Sequence, residues 1–553
     1  MLLLVTRHPD GVTARVRRVD RGVPHAVVGR ESAPRWVWSD TSALYPGLLA
    51  DGVRVDRCLD LRLAHRVLRL APAVATSRLA TAAAGPFDAP APAEPGPPAE
   101  TLFDEVRAER PLDEETCLAE LTAQHEAVEH AAPPARLRLL LAAESAGALA
   151  AAEMRHAGVP WDPAVHDEVL RSLLGPRPRA GERPHRLEQL AEQLRSELDA
   201  PALNPDSQPD LLRALRRVGL PVTSTRKWEL EGLDHAAVAP LTEYKRLSRL
   251  HTANGWAWLD TWVHDGRFRP EYVVGGVVTG RWGSSGGGAL QLPRHLRDAV
   301  RADEGWSLVV ADAAQLEPRV LAGLAHDEQL AAAGRGHDLY AAMVAAGVVP
   351  ERALAKVGML GALYGGTTGA SAAVLPRIAR AYSDALAYVE AAARAGERGE
   401  VVSTLLGRGS PRPGAAWARS QVEALSDDAG AGEESRARVA SRGWGRFTRN
   451  FVVQGTAAEW ALAWIAETRR RLWAMGPTAA VGRAAEPFAA RPHLVYFLHD
   501  ELVVHTPTAL APVVVEEVRA AAVAAGRLLF GDFPVEFPLS VGTATSYGDA
   551  KGA

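Results

Sequence analysis

Apolar residues in this chain fall into runs of two different periods, separated by breaks rich in proline, glycine and charge. Residues 1–80 mix short strand-like runs, Met1–Thr6 and Trp36–Trp38, with an apolar helical segment at Leu61–Leu70. Residues 82–100 carry six prolines and read as a solvated loop or linker. From about 114 to 265 the spacing is mostly helical. It includes an amphipathic stretch, Leu137–His156, closed by Gly158 and Pro160, and an Arg/Glu-laced helix, Arg186–Leu198.

The second half changes character. Strand-like runs at 305–312, 494–505 and 535–541 are separated by helical segments from about 315 to 400, at Ala437–Trp473 and at Leu510–Phe530. Residues 408–434 form a polar insertion, expected to be exposed and mobile. One sheet with helices inserted between its strands is an α+β arrangement. No internal repeat is apparent.

At 553 residues the chain exceeds what one hydrophobic core supports, so several domains are expected. The net charge of −4 provides no global attraction for nucleic acid, and any such binding has to come from local patches. Two cysteines, Cys58 and Cys117, make neither a disulfide framework nor a zinc cluster and suit a reducing, cytoplasmic setting. No run is long enough for a signal peptide or a membrane span. Only four of the 62 basic residues are lysines, which makes Lys356 conspicuous.

Two carboxylates stand out. Asp312 ends the run Ser307-Leu-Val-Val-Ala and is followed by Gln315 opening a helix; it reads either as that helix's cap or as a strand-borne ligand. Asp500 sits inside an apolar hairpin, where an acid facing a cleft needs a cation. Together they suit Mg²⁺, which takes a few carboxylates plus substrate phosphates. Between them Arg352, Lys356, Leu360 and Tyr364 recur every four residues on one helix face, spaced to meet a triphosphate. These cations lack acidic partners on their own helix, and Gly358, Gly361, Gly365 and Gly366 would thin it for a flat ligand. Two further clusters are Thr279-Gly280-Arg281 and the series Arg436, Arg438, Arg442, Arg446 and Arg449, which leads into Asn450 and Gln454. The Arg series reads as a solubilising face or as phosphate contacts beside base-edge hydrogen bonds.

In order and spacing these clusters resemble the family A DNA polymerases of the bacterial DNA polymerase I type, over roughly residues 140–553. Asp312, Gln315, Glu317 and Arg319 look like motif A. Arg352, Lys356, Gly361, Tyr364 and Gly365 are similar to motif B, and His499-Asp500-Glu501 to motif C. Smaller echoes are Thr279-Gly280-Arg281, Thr404-x2-Gly407-Arg408 and the Arg446 to Ala458 segment.

The resemblance implies a right-hand polymerase with a palm sheet and helical fingers and thumb, preceded by an α/β ribonuclease H-like exonuclease-type domain. The expected division is a vestigial exonuclease-like domain at 1–135, thumb and connecting helices at 136–268, palm at 269–335 and 441–553, and fingers at 336–440. It further implies template-directed DNA synthesis on primer-template DNA from dNTPs, with two Mg²⁺ ions, replaceable by Mn²⁺, on Asp312, Asp500 and the carbonyl of Ala313. Lys356 would be the proton donor to pyrophosphate and Arg352 a phosphate grip. Glu317 and Tyr364 would bound the sugar, with Gln315, Leu360 and His499 also near the nucleotide or primer end. Thr279, Arg281, Arg446, Asn450 and Gln454 would face the DNA.

Three residues depart from the family's pattern. Ala313 replaces Tyr, which a carbonyl ligand tolerates. Pro318 falls in a helix's first turn, where proline is accepted. Leu360 stands where Phe or Tyr stacks near the incoming nucleotide. The front end departs more. Trp36–Leu70 loosely resembles an exonuclease motif, but Leu44 stands at the metal-binding Asp, and His130-Ala-Ala-Pro-Pro134 replaces a Tyr-x3-Asp. A two-metal nuclease needs carboxylates, so the expectation is a monomeric cytoplasmic enzyme that does not proofread and acts in repair or gap filling. A 5′-nuclease domain is not expected in a chain of this length. The alternatives are a single-subunit RNA polymerase-like enzyme, a non-catalytic primer-template-binding protein and a nuclease.

Overall fold

The computed structural model describes residues 2–7, 14–19, 34–89 and 112–552, apart from 180, 231, 337, 367–368, 425 and 427–429. Residues 90–100 of the proline-rich stretch lie outside the described residues.

Four antiparallel strands form the sheet on which the rest is organised, in the order His493–Leu498, Glu501–Pro507, Trp306–Ala313, Leu539–Ala544. Successive strand residues point to opposite faces, and here both faces are covered. Val309, Ala311 and Ala313 enter one core with Leu502, Val504 and the helices Leu316–Ala325, Ala431–Ala474 and Ala511–Phe530. Leu308, Val310 and Val503 enter a second core with helices drawn from residues 159–300. Burial on both faces is why these strands read as continuous apolar runs rather than alternating ones.

The last strand lies further along than its apolarity suggests, at Leu539–Ala544 rather than 535–541. Val535 and Phe537 do pack into the first core. Pro534 and Pro538 have no N–H for a ladder, however, and the Val535 N–H closes a local turn on Phe533 O (2.8 Å). The long helix begins about a turn and a half before Ala437, because Glu433 reaches back to the Gly430 N–H (3.1 Å). Within the polar 408–434 insertion, Ala415–Ala424 is a helix with no buried residue, its alanines outweighing the loop-forming residues around it.

The front sheet is mixed. Its order is Ala14–Val19, Leu2–Arg7, Arg35–Trp38, Arg57–Asp60, with the last three strands parallel and the helix Thr41–Ala50 crossing between two of them. Asp40 and Asp60 serve here as helix caps: Asp40 accepts from Ser42 N (2.8 Å), and Asp60 from Thr41 N (2.7 Å) and Leu63 N (2.9 Å). The helix read as Leu137–His156 spans Pro134–Ala157 and is buried on most sides instead of one, because it runs between this front sheet and the four-stranded sheet with its long helix. Its Glu153 accepts from Tyr45 (2.6 Å) of the front region and from Arg469 (2.6 and 2.7 Å) of the long helix, which locks the two together. Among the described residues no helix is long and apolar enough to cross a membrane.

Candidate active site

The Trp306–Ala313 strand carries Asp312 to its end, directly opposite Glu501 and beside Ser540. Asp312 is not the helix cap. The cap position of Leu316–Ala325 belongs to Gln315, whose backbone is left-handed (φ 53°, ψ 48°) and whose side chain makes no cap bond. His499 and Asp500 form the two-residue turn of the neighbouring hairpin, with His499 at φ 62° where glycine is the usual occupant. Two strained non-glycine residues thus flank the two acids, a placement common at functional sites. The Ala313 N–H donates to the Asp500 carbonyl (3.0 Å), tying the hairpin turn to the strand end.

Burial, and then the neighbouring Asp312 charge, push the Asp500 carboxyl up to about 6. A pair of acids in this state favours a cation. The cation the structure places there is Lys551, from the last helix, Tyr547–Gly552. Its Nζ contacts Asp312 Oδ2 and Glu501 Oε2, while the Tyr547 hydroxyl donates to Glu501 Oε1. Among the described residues no group of three or more His, Cys, Asp or Glu could hold a metal by itself. Asp312, Asp500 and the Ala313 carbonyl offer hard oxygens, a donor chemistry that would fit a divalent cation such as Mg²⁺.

Above the acids, Glu317 is a hub. It accepts from the Tyr364 hydroxyl on Oε2 (2.5 Å) and from Arg281 on Oε1. Gln315 turns toward the start of the helix Leu339–Ala345, accepting from Leu339 N (2.8 Å) and donating to Asp338 (3.3 Å). Arg352, at the start of the helix Arg352–Tyr364, pairs with Asp338 (2.6 Å) and lies over the Tyr340 ring. No acid lies on this helix itself, and Arg352 finds its partner in Asp338, the cap of the preceding helix Leu339–Ala345. Lys356 and Tyr364 are exposed on the same helix, and Leu360 is half-buried.

Gly358 and Gly361 do not make room for a ligand. A Cβ on Gly358 would meet Ile378 Cδ1 at 2.5 Å and Val374 Cγ2 at 2.6 Å, and one on Gly361 would overlap the Ser371 hydroxyl. They let the neighbouring helix Gly369–Ala381 pack closely. Only Gly365, left-handed at the helix end, borders a groove residue, Arg446.

Arg446, Asn450 and Gln454 share one face of Ala431–Ala474, with Arg446 exposed and the other two half-buried. Thr279 donates to Gln454 Oε1 (3.0 Å), which joins the Thr-Gly-Arg cluster to this face. Other members of the Arg series separate from it. Arg449 is buried, bonded to Ala362 O (2.5 Å) and Glu390 (2.6 Å), and Arg436 and Arg438 pair with Glu433 and Glu434. Thr404 and Arg408 also sit in the interior, bound to Glu459 and Glu144. His499 is exposed at the hairpin tip. Partial burial and then the Arg281 charge hold its imidazole below its usual value.

Sequence reasoning missed Asp338, Tyr547 and Lys551. Lysine's rarity, which marks Lys356, marks Lys551 equally.

A four-stranded antiparallel sheet with two acids at one end of its inner strands, beside a helix that bears Arg352, Lys356 and Tyr364 and is bonded to Glu317, is the architecture of a right-hand polymerase. The model of DNA polymerase family A matches residues 180–549, and the chain belongs to that family. It is 28% identical over 363 residues to a thermostable DNA polymerase I of Thermus filiformis, covering 59% of this chain and 38% of that one. It is likewise 28% identical over 323 residues to a DNA polymerase I of Chloroflexus aurantiacus, covering 54% of this chain and 31% of that one. The matches thus span about a third of these relatives' length. In fold it is similar to the POL domain of Pol1 from M. smegmatis in complex with DNA primer-template and dNTP. That likeness has a TM-score of 0.64 at 20% identity and covers 94% of this chain and 87% of the other.

Proposed function

We propose that this chain is a template-directed DNA polymerase that extends a primer 3′ end with deoxynucleotides and does not proofread. The observation that carries the reading is the meeting of Asp312 and Asp500 at one end of the inner strands, with the Arg352–Tyr364 helix bonded to nearby Glu317, in a family A chain. Asp312, Asp500 and the Ala313 carbonyl would hold two Mg²⁺ ions, or Mn²⁺ in their place. When bound, these supply activation of the primer hydroxyl and charge neutralisation on the leaving pyrophosphate.

The chain's own residues do the rest. Arg352 leaves Asp338 to grip the triphosphate, and Lys356 delivers a proton to the pyrophosphate as it departs. Glu317, held by Tyr364 and Arg281, walls the sugar pocket against a 2′-hydroxyl, and Leu360 leaves the base face without an aromatic partner. Gln315 positions the loop that carries Asp338. Thr279, Arg281, Arg446, Asn450 and Gln454 line the minor groove beside the new pair, with His499 near the primer end. Closure of the 352–364 helix on a correct pair supplies selection.

On this reading residues 1–135 are a scaffold derived from an exonuclease, with Asp40 and Asp60 used as helix caps. The thumb is 136–268, the fingers 336–440 and the palm the remainder. The enzyme is a cytoplasmic monomer acting in repair or gap filling.

The test is primer extension on a recessed template with Mg²⁺, comparing wild type with Asp500→Ala and dNTPs with rNTPs. Extension by dNTPs that Asp500→Ala abolishes, with no shortening of the primer, supports the reading. Preference for rNTPs would instead indicate an RNA polymerase-like enzyme. Binding without extension would indicate a non-catalytic one, and shortening that survives Asp312→Ala/Asp500→Ala would indicate a nuclease.

A further inference from the structure

Lys551 occupies a position that neither periodicity nor motif assigned. It is one of four lysines in a chain whose other basic residues are all arginine, and its ammonium bridges Asp312 Oδ2 and Glu501 Oε2. The helix that presents it is firmly seated. Tyr547 is fully buried, its N–H donates to Val300 O (2.9 Å) and its hydroxyl holds Glu501. Ser546 Oγ accepts from Asp549 N (3.1 Å) and donates to the Asp549 carboxylate (2.7 Å), capping the helix start.

From this fixed base a flexible four-carbon stem delivers a compact charge to one oxygen of Asp312. The side chain is only a third exposed, so water screens that charge incompletely. An arginine fork would hold a carboxylate through two bonds; a single ammonium can withdraw along its stem and keep its contact with Glu501.

We infer that Lys551 is a tethered cation that holds the Asp312 carboxylate before a divalent ion arrives and yields it when one binds. The last helix thereby sets the affinity of the site for metal. This inference rests on Asp312 and Asp500 being the metal ligands. Lys551 is a positioning residue with two opposed effects: it keeps the Asp312 carboxylate ordered, and its like charge opposes the incoming ion.

The test is Mn²⁺ binding to the full chain, read as loss of the free-ion electron paramagnetic resonance signal without DNA or nucleotide. Lys551→Met removes the competing charge, and Mn²⁺ should then bind about tenfold more tightly. Lys551→Arg keeps the charge and should bind no more tightly than wild type. Unchanged or weaker binding by Lys551→Met overturns the inference, as does equal tightening by Lys551→Arg.

A second measurement needs no variant of Lys551. With only four lysines, amine acetylation followed by mass spectrometry reads each one separately, and Mn²⁺ should raise the labelling rate of Lys551 in the wild-type chain. No rise overturns the inference even if Lys551→Met does not fold. Asp500→Ala separates the underlying reading: Mn²⁺ binding indifferent to that change would mean that the ligand assignment itself is wrong.

Discussion

The Tyr364 hydroxyl donates to Glu317 Oε2 at 2.5 Å, so the last turn of the fingers helix is bonded to the first turn of the helix that follows Asp312. Arg281 occupies the other Glu317 oxygen. A carboxylate held from both sides keeps a fixed position, and a fixed wall can discriminate between sugars by one hydroxyl. Tyr364→Phe removes one bond to a charged acceptor, worth about 1.5–3 kcal/mol. Discrimination against rNTPs should fall by roughly tenfold, with dNTP incorporation much less affected. The check is the ratio of kcat/KM for dCTP and CTP in single-nucleotide extension; an unchanged ratio would remove Glu317 from this role.

Leu360 offers an aliphatic surface where an aromatic ring could stack on the incoming nucleotide. A ring contact contributes about 0.5–1.5 kcal/mol beyond its area. Leu360→Tyr should therefore tighten the KM for nucleotides by roughly three- to tenfold and shift dideoxynucleotide termination. Identical termination ladders from wild type and variant would show that this position does not touch the nucleotide.

Glu153 is a buried carboxylate shared by Tyr45, Arg469 and Arg54, the last at 3.4 Å. Burial acts to raise its pKa, but the Arg469 and Arg54 charges outweigh that and hold it below the usual carboxylate value. Glu153→Ala leaves the buried Arg469 unpaired and should cost about 3–5 kcal/mol. Denaturant unfolding should show the loss, and limited proteolysis should cut the front region first if this contact is what joins it to the palm.

His493 and His505 are buried against Trp306, the second stacked on it at 4.5 Å. Burial pushes His493 down to about 4 and His505 well below its usual 6.5. In the unfolded chain both titrate near 6.5. Between about 6.5 and 4 the unfolded chain therefore binds up to two more protons than the folded one, and stability falls as pH drops through that window. Above 6.5 this contribution is complete. Unfolding free energies at pH 7, 6 and 5 should decline accordingly, and His493→Phe should flatten part of the slope. A profile identical in the variant would contradict the assignment.

Much of this architecture is written locally. The period of the apolar residues marks the strands of the central sheet and the long helix, and the spacing of Asp312, Arg352, Lys356, Tyr364 and Asp500 marks the candidate site, because strand and helix periods decide which side chains share a face. The amino-acid sequence by itself also determined the family, through several short motifs in one order. Local pattern could not distinguish a glycine that admits a ligand from one that admits a helix, and Gly358 and Gly361 proved to be packing glycines. Nor could it separate Arg446, exposed along the groove, from Arg449, buried three residues later. Only the tertiary structure decided that Asp312 ends a strand rather than capping a helix, that Asp338 holds Arg352, and that Lys551 reaches across 239 residues to Asp312. Such contacts depend on where distant segments come to rest against a common core, which no local period records.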